Sequence, residues 1–214
     1  GPNHFVQIVN RLWKIFDKNG VSLGGPYPEA LLWSNQPTSD LCHGEDRGDP
    51  VVLYDQLADR WLLSYFAFAR DANNNKLPPF YQCVAVSKTG DPLASWWIYS
   101  FDITNDPGTT VTGFPDYPKF GVWPDGYYMS ANLFTSNAQD GLGVVFERDK
   151  MLNGQVPRAR GFVDTVLTGN MLPADYDGPP ASAPAVGTPN PFVAPHPTKA
   201  LLRIRQFDGN WSGD

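Results

Sequence analysis

Four aspartates stand where chemistry would be expected. Asp49 lies in "GDP" (48–50), Asp116 in "FPDYP" (114–118), and Asp175 and Asp177 in "PADYDGPP" (173–180). Asp49 and Asp116 each come just before a short apolar run, and the 175–177 stretch takes the corresponding place in a third segment. Carboxylates about 5–10 Å apart are what glycoside hydrolysis requires, one protonated to donate and one ionised to attack or to activate water. Asp49, Asp116 and Asp175 are therefore candidate catalytic groups, and Asp177 a candidate ligand-binding group. Two other readings stand beside this one. Asp before Pro commonly starts a turn, its carboxylate accepting backbone N–H groups, and clustered carboxylates can also hold calcium. Gly90-Asp91-Pro92 repeats the same three letters between two strands of one hairpin, so the tripeptide alone does not mark a site.

Other chemistries are mostly excluded by what is missing. The loop "SDLCHGEDRGD" (39–49) gathers Asp40, Glu45, Asp46 and Asp49, but it lacks EF-hand spacing and Arg47 offsets part of its charge, so it reads as a solvated loop. No cofactor is expected, with calcium the one ion such oxygens would suit. His4, His43 and His196 lie far apart, and neither a Cys-x-x-Cys nor a His-Glu-x-x-His motif occurs, which argues against zinc. There is no Gly-x-Ser-x-Gly elbow and no glycine-rich nucleotide loop. Among the aromatics, Trp33 and Trp211 sit nearest loops and could stack on a sugar ring, Trp33 being the candidate ligand-binding residue. Cys42 and Cys83 are compatible with one disulfide or with two buried thiols. A bridge would close a loop of roughly 40 residues and add about 3–4 kcal/mol.

The elements that would position these residues are strands. Period-two or continuously β-branched and aromatic runs recur, among them "HFVQIVN" (4–10), "RLWKIFD" (11–17), "RWLLSYFAF" (60–68), "YQCVAVS" (81–87), "SWWIYSFDI" (95–103) and "LLRIRQF" (201–207). Turn dipeptides such as Asn19-Gly20, Asp125-Gly126 and Asn153-Gly154 separate them. The one helical turn expected is around "DKMLNG" (149–154). The chain reads as all-β and antiparallel.

It also reads as duplicated. "VVLYD" (51–55) matches "KFGVW" (119–123), "LLSYF" matches "YMSAN" so that Ser64 falls on Ser130, and Asp49-Pro50 is placed against Asp116-Tyr117-Pro118. Two further strands follow each matched pair. Four-stranded antiparallel units repeating at roughly 60 residues are the signature of β-propeller blades, since such a sheet has two apolar faces and cannot bury both alone. The expected division is a partial blade over 1–40, blades over 41–105 and 106–168, and a partial blade over 169–214 with an inner strand at Phe192-Val193. About three blades do not close a ring, so further blades or other copies would be needed. The competing architecture is an irregular two-sheet sandwich.

"GDPVVLYDQLADRWLLSYF", "YQCVAVSKTGDPLASWWIYSFD" and "FPDYPKFGVWPDGYYMSANLF" together resemble a group of large bacterial exported proteins containing sialidase-like, BNR-type propellers, mostly of unassigned function. The resemblance extends over about residues 1–207. It implies a propeller in a secreted or extracytoplasmic protein, with ligands at the channel rim. It does not extend to sialidase chemistry: the Ser-x-Asp-x-Gly-x-x-Trp box, the arginine triad and the Tyr/Glu pair are not found. Five-bladed glycosidases are similar in placing a catalytic Asp in an Asp-Pro step at an inner strand, as "GDP" does here.

Bulk properties narrow the function further. With 42% hydrophobic and 14% aromatic residues, the chain is not disordered. A net charge of -6 without a local Lys/Arg cluster argues against nucleic acid, and no apolar run is long enough to span a bilayer. "GPNHFVQIVN" shows neither a basic nor an apolar leader segment. The function expected is an exported binding or scaffold module, recognising a glycan or a protein at the rim. The alternative is a carbohydrate-active enzyme using paired aspartates.

Overall fold

The computed structural model describes residues 1–105, 111–136, 138–166, 169–196 and 198–212. Among the described residues there are four antiparallel sheets, and in each sheet every strand lies beside its neighbour in sequence. Sheet I contains β1 (His4–Val9), β2 (Leu12–Asp17) and β3 (Ser22–Pro28); sheet II contains β4 (Val51–Asp55), β5 (Arg60–Arg70), β6 (Lys76–Ser87) and β7 (Trp96–Asp102). Sheet III contains β8 (Phe114–Trp123), β9 (Gly126–Phe134), β10 (Gln139–Glu147) and β11 (Ala159–Asp164); sheet IV contains β12 (Leu172–Pro173), β13 (Asn190–Pro195) and β14 (Leu202–Phe207). A single α-helical turn, α1 (Arg148–Leu152), joins β10 to β11. The chain divides into two compact units, Gly1–Ile103 and Thr104–Asp214.

Each unit is a pair of sheets with an apolar layer between them. In the first, Trp13 and Ile15 of sheet I meet Leu63, Tyr65, Ala67, Cys83 and Ala85 of sheet II. In the second, Trp123, Tyr128 and Val145 of sheet III meet Phe192 and Ala194 of sheet IV. The alternation of a strand decides which residues do this: odd-numbered positions of β5 face sheet I, and Leu62, Ser64 and Phe66 face the other way. Those are buried too, so sheets II and III bury both faces. Sheets I and IV do not, leaving Phe5, Val9 and Leu12 exposed on one and Leu172, Leu202 and Ile204 on the other.

Sheets II and III share one register frame. Val51, Ser64, Val84 and Tyr99 lie side by side across sheet II. Lys119, Ser130, Gly143 and Phe162 do so across sheet III. Ser64 and Ser130 are therefore equivalent, as are Val51 and Lys119. The frame also corrects one detail of the duplication: Pro50 matches Pro118, which places Asp49 opposite Tyr117 and leaves Gly48 opposite Asp116. Asp49 and Tyr117 share a left-handed backbone, with φ of 48° and 56°. The repeat thus preserves a backbone shape at this step and not a carboxylate. In sheet IV the first strand is β12, and Phe192-Val193 lies in the middle strand, paired on both sides.

The buried serines tie strands together through their hydroxyls. Ser64 Oγ donates to the Cys83 carbonyl, 2.8 Å, and accepts from Gln82 Nε2, 2.6 Å. Ser130 Oγ donates to the Met171 carbonyl, 2.5 Å, just ahead of β12. Ser130→Ala removes this donor from the Met171 carbonyl inside an apolar layer, and should cost about 1–2 kcal/mol of second-unit stability. The urea midpoint measures it; an unchanged midpoint would mean that another donor takes the hydroxyl's place.

Candidate functional site

Two of the four candidate aspartates accept a backbone N–H. Asp116 Oδ1 accepts the N–H of Tyr117, 3.0 Å, where β8 breaks register between Asp116 and Lys119. Asp175 Oδ1 accepts the Val122 N–H, 2.8 Å, while Tyr176 N–H donates to the Val122 carbonyl, 3.0 Å, so this segment caps the free edge of β8. Gly121 permits that approach, since a Cβ there would collide with the Ala174 carbonyl. Asp116 and Asp175 thus each give one carboxylate oxygen to a backbone N–H, as the turn reading expects. Asp49 and Asp177 are exposed, Asp49 between left-handed Gly48 and Pro50. None of the four lines either cleft described below.

Trp33 is also corrected. It is completely buried, donates its indole N–H to Ser100 Oγ at 3.1 Å, and meets the Tyr65 ring edge-on, so it cannot stack on a sugar. Trp211 is half-buried and donates its indole N–H to the Asp125 carbonyl, 2.8 Å. Cys42 and Cys83 form a disulfide with Cα atoms 5.8 Å apart. Among the described residues no group of three or more His, Cys, Asp or Glu could hold a metal ion. No helix among them is long and apolar enough to cross a membrane.

Two other places have the makings of a site, one in each unit. In the second unit a cleft of about 370 Å³ is lined by Tyr117, Lys119, Asn132, Asn170, Met171 and Leu172. Tyr117 is 57% exposed and takes the left-handed backbone that it shares with Asp49. The bulge at β8 and the following Pro118 hold it there. Lys119 Nζ lies 3.1 Å from the ring centroid on one side and bonds the Pro118 carbonyl, also at 3.1 Å. Asn132 Oδ1 accepts the Asn170 N–H, 2.6 Å, which fixes the amide at the cleft wall. An aromatic ring, a cation and a held amide thus converge on one concave surface.

In the first unit the feature is a pair of carboxyls. Glu29 opens a single 3-10 turn, Glu29–Trp33, whose far end is anchored by buried Trp33; this draws the Glu29 side chain to complete burial. Its backbone N–H donates to the Arg11 carbonyl, 3.2 Å. Neither Glu29 carboxylate oxygen has a protein N–H or O–H donor, and neither does buried Asp46 Oδ1. Burial foremost, then the Asp46 charge and a hydrogen bond to Asp46, push the Glu29 carboxyl up to about 9. Burial raises Asp46 as well, against the pull of the Glu29 hydrogen bond, Arg11, the Gly48 N–H and Arg47. The consistent picture is a protonated Glu29 donating to an Asp46 carboxylate: with no other donor available, their bond exists only through that proton. Asp46 is held by a bridge to Ala67, and the Arg47 guanidinium donates to the Phe68 carbonyl and pairs with Glu45. Beside this pair opens a cleft of about 500 Å³ lined by Val9–Leu12, Pro28 and Asp46.

Glu29 and Arg11 carry no sequence flag as site residues. "YPEALLW" reads as an ordinary turn start, and nothing local announces that its glutamate ends up inside. In the structure the tight Asn10-Arg11 turn puts arginine at φ 66°, where such hairpins prefer glycine. No protein-family model, curated protein or solved structure matches the chain.

Proposed function

We propose that the chain is an exported, sialidase-like β-propeller binding module that recognises a glycan through the Tyr117 cleft. Its sheets are blades of a ring that further blades or other copies complete. The observation that carries the binding reading is Tyr117: an exposed aromatic held in a left-handed conformation, one face taken by a lysine, over a concave polar surface. Sugars present apolar C–H faces and a rim of hydroxyls, which suits a ring flanked by an amide and an ammonium. The propeller reading is supported by the direction of stacking. Sheet II receives the sheet preceding it on its Leu63 and Tyr65 face, whereas sheet III receives the sheet following it on its Tyr128 and Ser130 face. In the common register these are opposite faces, the order that blades around an axis require. The disulfide supports export, since such bonds persist in oxidising compartments. A glycoside hydrolase using Asp49, Asp116 and Asp175 is the weaker reading, because two of the three already accept backbone N–H bonds.

A glycan array on the intact protein, followed by Tyr117→Ala, tests the proposal. The substitution should weaken binding roughly tenfold, as loss of one aromatic contact implies, with the melting temperature close to wild type. Silence of the array at millimolar sugar, or full binding by the alanine variant, would sink it.

A further inference from the structure

We propose that the Tyr117 cleft selects N-acetylhexosamines, with Asn132 reading the carbonyl of the acetamido group. This specificity rests on the cleft being a glycan site, and it narrows which sugars enter.

The chemistry starts at one amide. Asn132 lines the cleft and is only 9% exposed. Its oxygen is committed, because Oδ1 accepts the Asn170 N–H at 2.6 Å. A backbone N–H can only donate, so this bond also settles which way the amide is turned. Nδ2 takes the other side, where it has no acceptor among the described residues and stays open to the cleft. The amide is also well supported. β9 is paired on both sides, placing Asn132 opposite Asp116 and Gly141. Gly169, at φ 77°, leaves room for Oδ1, since a Cβ there would collide with Asn132 Oδ1 and Gln139 Nε2. A largely buried amide donor without an acceptor is uncommon and costs stability. A ligand oxygen arriving at Nδ2 restores the bond.

The rest of the lining says which oxygen. Lys119 is engaged locally, with the Tyr117 ring and the Pro118 carbonyl, so no anionic group is called for. Met171 and Leu172 supply apolar surface in the same cleft. A sugar hydroxyl would use the Asn132 donor and leave that surface unmatched. An acetamido group uses both, its carbonyl accepting from Nδ2 and its methyl covering the aliphatic wall. Its N–H finds an acceptor in the exposed Asn170 side chain, which also lines the cleft. The C–H face of the pyranose then lies on Tyr117. A volume of about 370 Å³ is near the lower end for ligand clefts, which suits a single sugar residue.

The test is titration calorimetry of the full chain with two matched pairs of methyl glycosides. One pair is N-acetylglucosamine and glucose, the other N-acetylgalactosamine and galactose. The expected result is that at least one N-acetylated member binds about tenfold more tightly than its parent hexose, the effect of one good hydrogen bond. This wild-type comparison decides the sugar class without any variant. Asn132→Asp keeps the oxygen that holds Asn170 and puts a second oxygen where the donor was. It should abolish the preference, with the melting temperature close to wild type, whereas Tyr117→Ala should weaken both members of a pair alike. Equal binding within both pairs, weakened by Tyr117→Ala, overturns the acetamido specificity and leaves the glycan site standing. Equal binding untouched by Tyr117→Ala, or no binding at millimolar sugar, overturns both. A preference that survives in Asn132→Asp overturns the role given to Asn132.

Discussion

Breaking the Cys42–Cys83 bridge is expected to lower the stability of the first unit by about 4 kcal/mol, the loop-entropy value for its span, while leaving the second unit untouched. The two cysteines are 41 residues apart in sequence, and the bond ties the loop ahead of β4 to the middle of β6. Its loss frees the strap that carries Asp46 across β5, and it opens the layer where both sulfurs are wholly buried among Trp33, Leu63 and Tyr65. The Cys42→Ala/Cys83→Ala double variant is the cleaner form, because alanines leave no buried polar group. Hydrogen exchange followed by peptide mass resolves the two units. Protection of β4–β7 should fall by two to three orders of magnitude, the equivalent of about 4 kcal/mol, with β8–β14 unchanged. Equal loss in both halves would mean that they unfold as one body.

The second large effect is a fall in stability with rising pH, set by Glu29. Its carboxyl is pushed from the ordinary 4.5 up to about 9 in the folded chain, first by burial and then by Asp46. Between those values the folded state holds a proton that the unfolded state has given up. The stabilisation is therefore complete below about pH 4.5 and is lost as pH rises through 9, at up to about 1.4 kcal/mol per unit. The raised Asp46 carboxyl acts in the same sense. For that reason the informative quantity is the difference between wild type and Glu29→Gln. Glutamine keeps the shape without the proton, so the variant should gain steadily on the wild type from pH 5 to pH 9 in urea titrations. Parallel curves over that range would show that Glu29 carries no proton.

Much of the fold could be read from residue order. Alternating and β-branched runs, cut by Asn-Gly and Asp-Gly turns, mark most of the strands, and matching Ser64 to Ser130 places two four-stranded sheets in one register. What escaped was short or disguised. Ser22–Pro28 is a strand although "LGGPYP" looks like a turn, because β2 supplies the pairing that its composition does not suggest. β12 is two residues long and offers no period at all.

The sites were far less legible, for the same reason at larger scale. Reading Asp49 against Asp116 followed the letters, whereas the backbone equates Asp49 with Tyr117, since what repeats is a left-handed step before proline. Trp33 looked like a loop aromatic and is a core residue, and the bond from Asp175 to the edge of β8 has no signal in the residues around it. Residue order determined the strands, their turns and the doubling of sheets, because those depend on neighbours two to a few positions away. The burial of Glu29 against Asp46 and the exposure of Tyr117 were decided only by the tertiary structure. Both depend on which distant surfaces come to lie against them, and a side chain's solvation has no representation in its immediate neighbours.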